Sequence, residues 1–101
     1  MIYNKDCPYI VYFFHAPWCC KCRDFDKKLE NNNHIPNIVF TDIETCPNAL
    51  LNTFKVKALP TFVLVPFNDD EKELGRLESP DTFDELLGWY ENLTKGEKEN
   101  A

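Results

Sequence analysis

Three cysteines fall within four positions, Cys19, Cys20 and Cys22, directly after Ala16-Pro17-Trp18 and an apolar run at residues 9–14. Cys19 and Cys22 stand i, i+3 at a strand-to-helix junction, a spacing at which two thiols can close a small disulfide ring and open it again. The chemistry this predicts is thiol–disulfide exchange. Further along, Leu59-Pro60-Thr61 opens a second apolar run.

The elements that must position these residues follow from pattern. Residues 9–15 are β-branched and aromatic, as in a short buried strand. Residues 20–31 carry Phe25 and Leu29 at i, i+4 among charges, an amphipathic helix that Asn31-Asn32-Asn33 ends. A second apolar run at 37–43 completes a strand–helix–strand unit with a right-handed parallel crossover. Thr45 or Cys46 before Pro47 suits a helix start, with Leu50, Leu51 and Phe54 on the inner face. Residues 61–66 and 72–78 flank the polar turn Asn68-Asp69-Asp70 and predict an antiparallel hairpin. Ser79-Pro80 would open a last helix with Phe83, Leu86, Leu87, Tyr90 and Leu93 on one face. The order is β-α-β-α-β-β-α: an α/β fold with a mixed four-stranded sheet and helices on both faces. The domain would occupy residues 1–94, with 95–101 a charged, flexible C-terminal tail.

A chain of 101 residues that is 44% hydrophobic is large and apolar enough for one globular domain. No apolar stretch reaches the length of a membrane span. Lys5 and Asp6 precede the first run and no small-residue cleavage site follows it, so a cytoplasmic protein without membrane contact is expected. A net charge of -6 with scattered Lys and Arg argues against nucleic acid as a partner. Five cysteines, an odd number and clustered, favour a reactive or metal-binding site in a reducing compartment over a secreted disulfide framework.

Taken in this order, Ala16-Pro17-Trp18-Cys19-x-x-Cys22 and Ala58-Leu59-Pro60-Thr61-Phe62 resemble the thioredoxin family, from about residue 9 to residue 93. The resemblance implies a thioredoxin-like fold in its minimal form, since residues 1–8 are too few for the strand and helix that usually come first. Other departures touch the chemistry. The buried acid usual in the family falls at Phe13, and its companion lysine near Phe40. Without them water, a neighbouring carboxylate or the substrate must take the proton of the second thiol. The glycine often found before the last helix is replaced around Glu78 and Ser79.

The resemblance makes Cys19 the nucleophile and Cys22 the resolving thiol. At the first turn of a helix the dipole favours a Cys19 thiolate by about 0.3–1 kcal/mol, less than one pKa unit. A larger effect needs a hydrogen bond from Cys22 or help from Lys21, which stands where thioredoxins usually carry proline. Lys21 is then either a tuning cation or a solvated lysine of small effect. Cys20 is a candidate regulatory thiol or an exposed passenger, since adjacent cysteines make strained bridges. Cys7 and Cys46 default to buried free thiols. Trp18 would shield the thiols or simply pack. Pro60 would follow a cis peptide, with Leu59 offering its backbone to an extended substrate; the alternative is an edge-strand proline. His15 could tune the thiols, bind metal or merely end its strand, and His34 reads as loop.

The expected function is that of a monomeric thiol–disulfide oxidoreductase that reduces protein disulfides. It would use no cofactor beyond the Cys19–Cys22 disulfide, recharged by a thioredoxin-reductase-like enzyme or glutathione. A glutaredoxin is disfavoured: tryptophan precedes the first cysteine, and the usual Cys-Pro-Tyr-Cys and glycine-rich loop are missing. Two other classes stay open. One is a metal-binding module in which His15 or Cys46 joins the cysteine cluster, although zinc sites usually pair two knuckles and one is visible. The other is a redox-inert interaction module.

Overall fold

The run Tyr9–His15 forms β1, a strand apolar on both faces because both are covered. The computed structural model describes residues 7–32, 34–69 and 71–99. Successive side chains of a strand point to opposite faces, so Val11 and Phe13 enter one core while Tyr12 and Phe14 enter another. Helix α1 (Cys20–Glu30) sends Cys22, Phe25 and Leu29 into the first core, and α3 (Phe83–Glu99) adds Leu86 and Tyr90. The short α2 (Asn48–Phe54) closes the second core with Phe54, backed by Leu50 and Leu51. Helices thus cover both faces.

The sheet runs in the order β2-β1-β3-β4. β2 (Ile38–Asp42) lies parallel to β1, Val11 opposite Ile38 and His15 opposite Asp42. β3 (Thr61–Pro66) is antiparallel to β1, with Phe13 opposite Phe62. β4 (Gly75–Glu78) is antiparallel to β3 at the edge. This is the mixed four-stranded α/β architecture that the sequence predicts.

Phe13 is fully buried at the centre of an aromatic cluster, stacked on Phe62 at 4.9 Å and edge-on to Phe40 at 5.6 Å. Phe25 meets the other side of Phe62 edge-on at 5.5 Å. Ring pairs of this kind contribute about 0.5–1.5 kcal/mol each beyond the area they bury. Where the family's acid and lysine would sit, this chain has continuous apolar packing.

Several boundaries differ from the sequence reading, each for a local reason. Pro47 stands just outside α2 as its N-cap, at φ -60° and ψ 139°, not at the first helical position. The second strand of the hairpin starts at Gly75 instead of residue 72, because the turn extends as far as the hydrogen bond from Lys72 N–H to Asp69 O. Asp70 of that turn and Asn33 lie outside the described residues. The last helix begins at Phe83, not at Ser79-Pro80: Ser79 adopts φ 47°, and the Thr82 hydroxyl instead caps the helix by accepting from Glu85 N–H at 3.2 Å. That helix continues to Glu99, past residue 94 where the domain was expected to end; lysine and glutamate at 95 and 97–99 are good helix formers. Leu93, read as an inward residue, is 37% exposed at the rim. Among the described residues no helix is long and apolar enough to cross a membrane.

At the sheet edge Arg76 ties elements together. Its guanidinium donates to the Phe54 carbonyl at the end of α2 and to Glu73 at 2.7 and 2.9 Å. The hydrogen bond from Arg76 holds the Glu73 carboxyl below its ordinary range, burial opposing and the Arg76 charge assisting. A depressed folded pKa gives stability that is complete above the unfolded value, about 4.3 for a glutamate, and fades as pH falls through the folded one. Glu73→Gln should therefore melt slightly below the parent near neutral pH, by under about 1 kcal/mol for a surface pair. The two melting curves should converge in acid, as pH falls through the lowered Glu73 value.

Candidate redox site

The geometry of the site begins with the turn that carries it. Cys19 N–H donates to Ala16 O at 3.1 Å, and Arg23 Nη2 donates to Pro17 O at 3.0 Å, so the chain is folded back onto the start of α1. Cys19 is the N-cap of that helix, in extended conformation, and its Sγ accepts from Cys22 N–H at 3.2 Å. Helix N-caps present an acceptor to amides that have no partner within the helix. Here sulfur does so. Once the disulfide is open, the same amide and the helix dipole stabilise a thiolate on Cys19.

Cys19 and Cys22 are disulfide-bonded, with Cα atoms 5.2 Å apart. Cys19 lies at the edge of burial with 9% exposed, and Cys22 is sealed at 2%. Both residues are therefore largely buried, Cys22 more completely than Cys19. Cys20 points outward and is exposed, while Cys7 and Cys46 are half-buried free thiols. Burial, helped by Asp42 and opposed by a backbone hydrogen bond, pushes the Cys46 thiol up. Cys7 contacts the Tyr90 hydroxyl at 3.7 Å, and burial, then Cys7, drives that phenol well above its usual range.

The cis peptide between Leu59 and Pro60 sits at the start of β3. Ser79 N–H donates to Pro60 O at 2.7 Å, joining that turn to the loop after β4. Ser79 occupies the left-handed region at φ 47°, where glycine would be at ease. Trp18 is 63% exposed, and its indole N–H donates to Glu44 at 2.9 Å. It stands beside the thiols as a surface platform, not as core packing.

Lys21 does not spend its hydrogen bonds near sulfur. Its ammonium donates to Ser79 O at 3.1 Å, to Ser79 Oγ at 3.2 Å and to Asp81 at 3.0 Å. Asp81 shares the charge, which weakens any field at Cys19. Exposed ion pairs contribute about 1 kcal/mol at most, and 30 mV corresponds to about 1.4 kcal/mol for a two-electron couple. Lys21→Met is accordingly expected to move the Cys19–Cys22 potential by less than about 20 mV in a glutathione titration. A shift above about 30 mV would place the ammonium's influence back on the thiolate.

Sequence reasoning missed the partners of these residues. Glu44, Ser79 and Asp81 are brought in by tertiary folding, and no local spacing marks them. Asp26 was also missed, although it lies one turn beyond Cys22 and so on the same face of α1. Together with His15, Asp42 and Cys22 it lines an open cavity of about 260 Å³ behind the disulfide. Among the described residues no group of three or more His, Cys, Asp or Glu converges closely enough to hold a metal ion.

A cysteine capping a helix N-terminus, bonded to a more deeply buried one a turn later, on a mixed sheet with helices on both faces and a cis-proline at the start of β3, defines a thiol–disulfide oxidoreductase scaffold. The chain belongs to the thioredoxin family, whose family model matches residues 1–91. Among solved structures it is similar to thioredoxin 1 of Thermosipho africanus, at 20% identity and TM-score 0.67 over 87% of this chain and 97% of that one. Fasciola hepatica thioredoxin is 26% identical, with TM-score 0.66 over 87% of this chain and 80% of its own. The germline-specific thioredoxin Deadhead of Drosophila melanogaster is 23% identical, with TM-score 0.67 over 87% of this chain and 83% of its own.

Proposed function

We propose that this protein reduces disulfides in other proteins through the Cys19/Cys22 dithiol. The observation that carries the reading is the asymmetry of the pair: Cys19 caps α1 with an amide on its sulfur and keeps 9% of its surface exposed, while Cys22 within the helix is sealed at 2%. Cys19 attacks a substrate disulfide to form a mixed disulfide, and Cys22 then attacks Cys19, releasing the reduced substrate and closing the internal bond. Trp18 and the backbone of Leu59 and Pro60 frame the groove in which an extended substrate segment lies. Cys20, exposed beside the nucleophile, is the thiol open to regulatory modification. The disulfide itself is the redox group and no other cofactor is needed. A thioredoxin-reductase-like enzyme or glutathione returns the electrons, and the protein acts as a monomer in the cytoplasm.

The test is equilibration in graded glutathione or dithiothreitol buffers, followed by Trp18 fluorescence and by thiol trapping with mass assignment. A two-electron transition confined to Cys19 and Cys22 is expected. A potential near about -270 mV would mark a reductant, and one near about -180 mV an isomerase or oxidant. No transition, or thiols that stay blocked until a chelator is added, would overturn the reading in favour of a binding or metal module.

A further inference from the structure

The proposed reaction leaves one proton without a destination. The resolving thiol must lose its hydrogen before it can attack, yet Cys22 is 2% exposed and the position of the family's acid holds Phe13, itself fully buried among rings. We propose that the Cys22 proton passes into the cavity lined by Cys22, His15, Asp26 and Asp42, with the His15 imidazole as its acceptor. This rests on the oxidoreductase reading above.

Three elements converge to make the arrangement. His15 ends β1 on the same face as Val11 and Phe13, four and two residues before it, which is the face α1 covers. Asp42 is its register partner at the end of parallel β2. Asp26 stands i+4 from Cys22 on α1, so thiol and carboxylate share one helix face and open onto the same space. The imidazole packs against the rings of Phe13 at 5.1 Å and Phe40 at 6.5 Å, and no described residue hydrogen-bonds it. Neither ring nitrogen is therefore committed to a partner among the described residues, and His15 lines the cavity. The charged groups around it are Arg23, Asp26 and Glu30 from α1 and Asp42 from β2. Arg23 is partly engaged with the Pro17 carbonyl. The carboxylates balance the charge of an imidazolium, and an imidazole can take up and release a proton near neutral pH. The groups are too dispersed for a metal ion and close enough to share a cavity, as a relay through water requires.

The step balances. With the substrate joined to Cys19, the Cys22 S–H gives its proton to His15 and becomes a thiolate. The thiolate attacks the Cys19 sulfur, the Cys19–Cys22 bond forms, and the bond from Cys19 to substrate breaks. The substrate sulfur leaves with the electron pair and takes a proton from solvent. His15 returns its own proton to water. Two electrons pass from the dithiol to the substrate disulfide.

The two thiols can be timed separately with 5,5′-dithiobis(2-nitrobenzoate), in the full chain carrying Cys7→Ser, Cys20→Ser and Cys46→Ser. Cys19 attack releases the first thionitrobenzoate, at a rate that depends on reagent concentration; Cys22 attack releases the second in a unimolecular phase. His15→Ala should leave the first phase within twofold and slow the second about a hundredfold at pH 7. Added imidazole should restore the second phase, and Asp26→Asn should slow it by a smaller factor. A second phase unchanged by His15→Ala, one slowed equally with the first, or one that imidazole does not restore would overturn the proposal. If circular dichroism shows that His15→Ala does not fold, the pH profile of the second phase in the His15 chain decides. A rise that sets in well below the thiol range supports the relay, and a single rise within the thiol range, about pH 8.5, overturns it. Absence of any first phase would overturn the oxidoreductase reading itself, a result distinct from all of these.

Discussion

Cys22→Ser should convert a turning-over protein into one that reacts once and stops. Cys19 remains at the helix N-terminus with the amide of residue 22 beside its sulfur, so attack on a substrate disulfide should proceed. The mixed disulfide then has no internal thiol to resolve it and should accumulate, visible as a covalent adduct on a non-reducing gel and by mass. Cys19→Ser should form no adduct, and its insulin-reduction rate should fall at least about a thousandfold, the order expected when a covalent nucleophile is removed. The contrast separates the two sulfurs. Their burial already does so: 9% against 2% exposed. If the adduct instead collected on the chain lacking Cys19, the assigned order of attack would be reversed.

The largest effect on stability is expected from Phe13→Ala. The ring is fully buried, stacked on Phe62 and edge-on to Phe40. The strand that carries it is paired on both sides, so its surroundings have little room to collapse into the space left. Phe→Ala in such a site costs about 3–5 kcal/mol. For a domain of this length that lowers the melting temperature by on the order of 20 °C, measurable by circular dichroism. Phe13→Asp, which would restore the acid common in the family, should do no better. The carboxylate would enter an apolar cluster with no lysine at Phe40 to meet it, and burying an unpaired charge is heavily penalised. A loss below about 1 kcal/mol for the alanine variant would show that the aromatic cluster is not what holds β1 between its neighbours.

How far the sequence could be read depends on whether a signal is local. β1, β2, β3 and α1 come directly from short β-branched and aromatic runs and from Phe25 and Leu29 at helical spacing. Cys19 and Cys22 are legible because one helical turn joins them. The start of α3 was also legible and was read wrongly. Thr82 and Glu85 form the Thr-x-x-Glu signature of a helix start, and the structure uses that cap, whereas Ser79-Pro80 offered a competing cap three residues earlier. What rules out the earlier start is the left-handed Ser79. The partners of Lys21 lie 58 and 60 positions away, beyond the reach of any pattern. The pairing of His15 with Asp42 depends on strand register, which residue spacing alone does not set. Cys22 and Asp26 at i, i+4 were half of that cavity already in plain view.

Ser79 joins two segments that the sequence keeps far apart. Its N–H grips the Pro60 carbonyl, and its carbonyl and hydroxyl hold Lys21, one of the two residues between Cys19 and Cys22. One serine thus works as the fixed jaw of a caliper, setting the distance between the proline turn and the cysteine helix before anything arrives. Under the proposed function, a peptide laid beside Leu59 would meet a gauge already set, and the entropy that a loose groove would lose on closing would have been given up in folding. Segments that cannot lie extended within that gap would then be rejected by shape, whatever the reactivity of their disulfides.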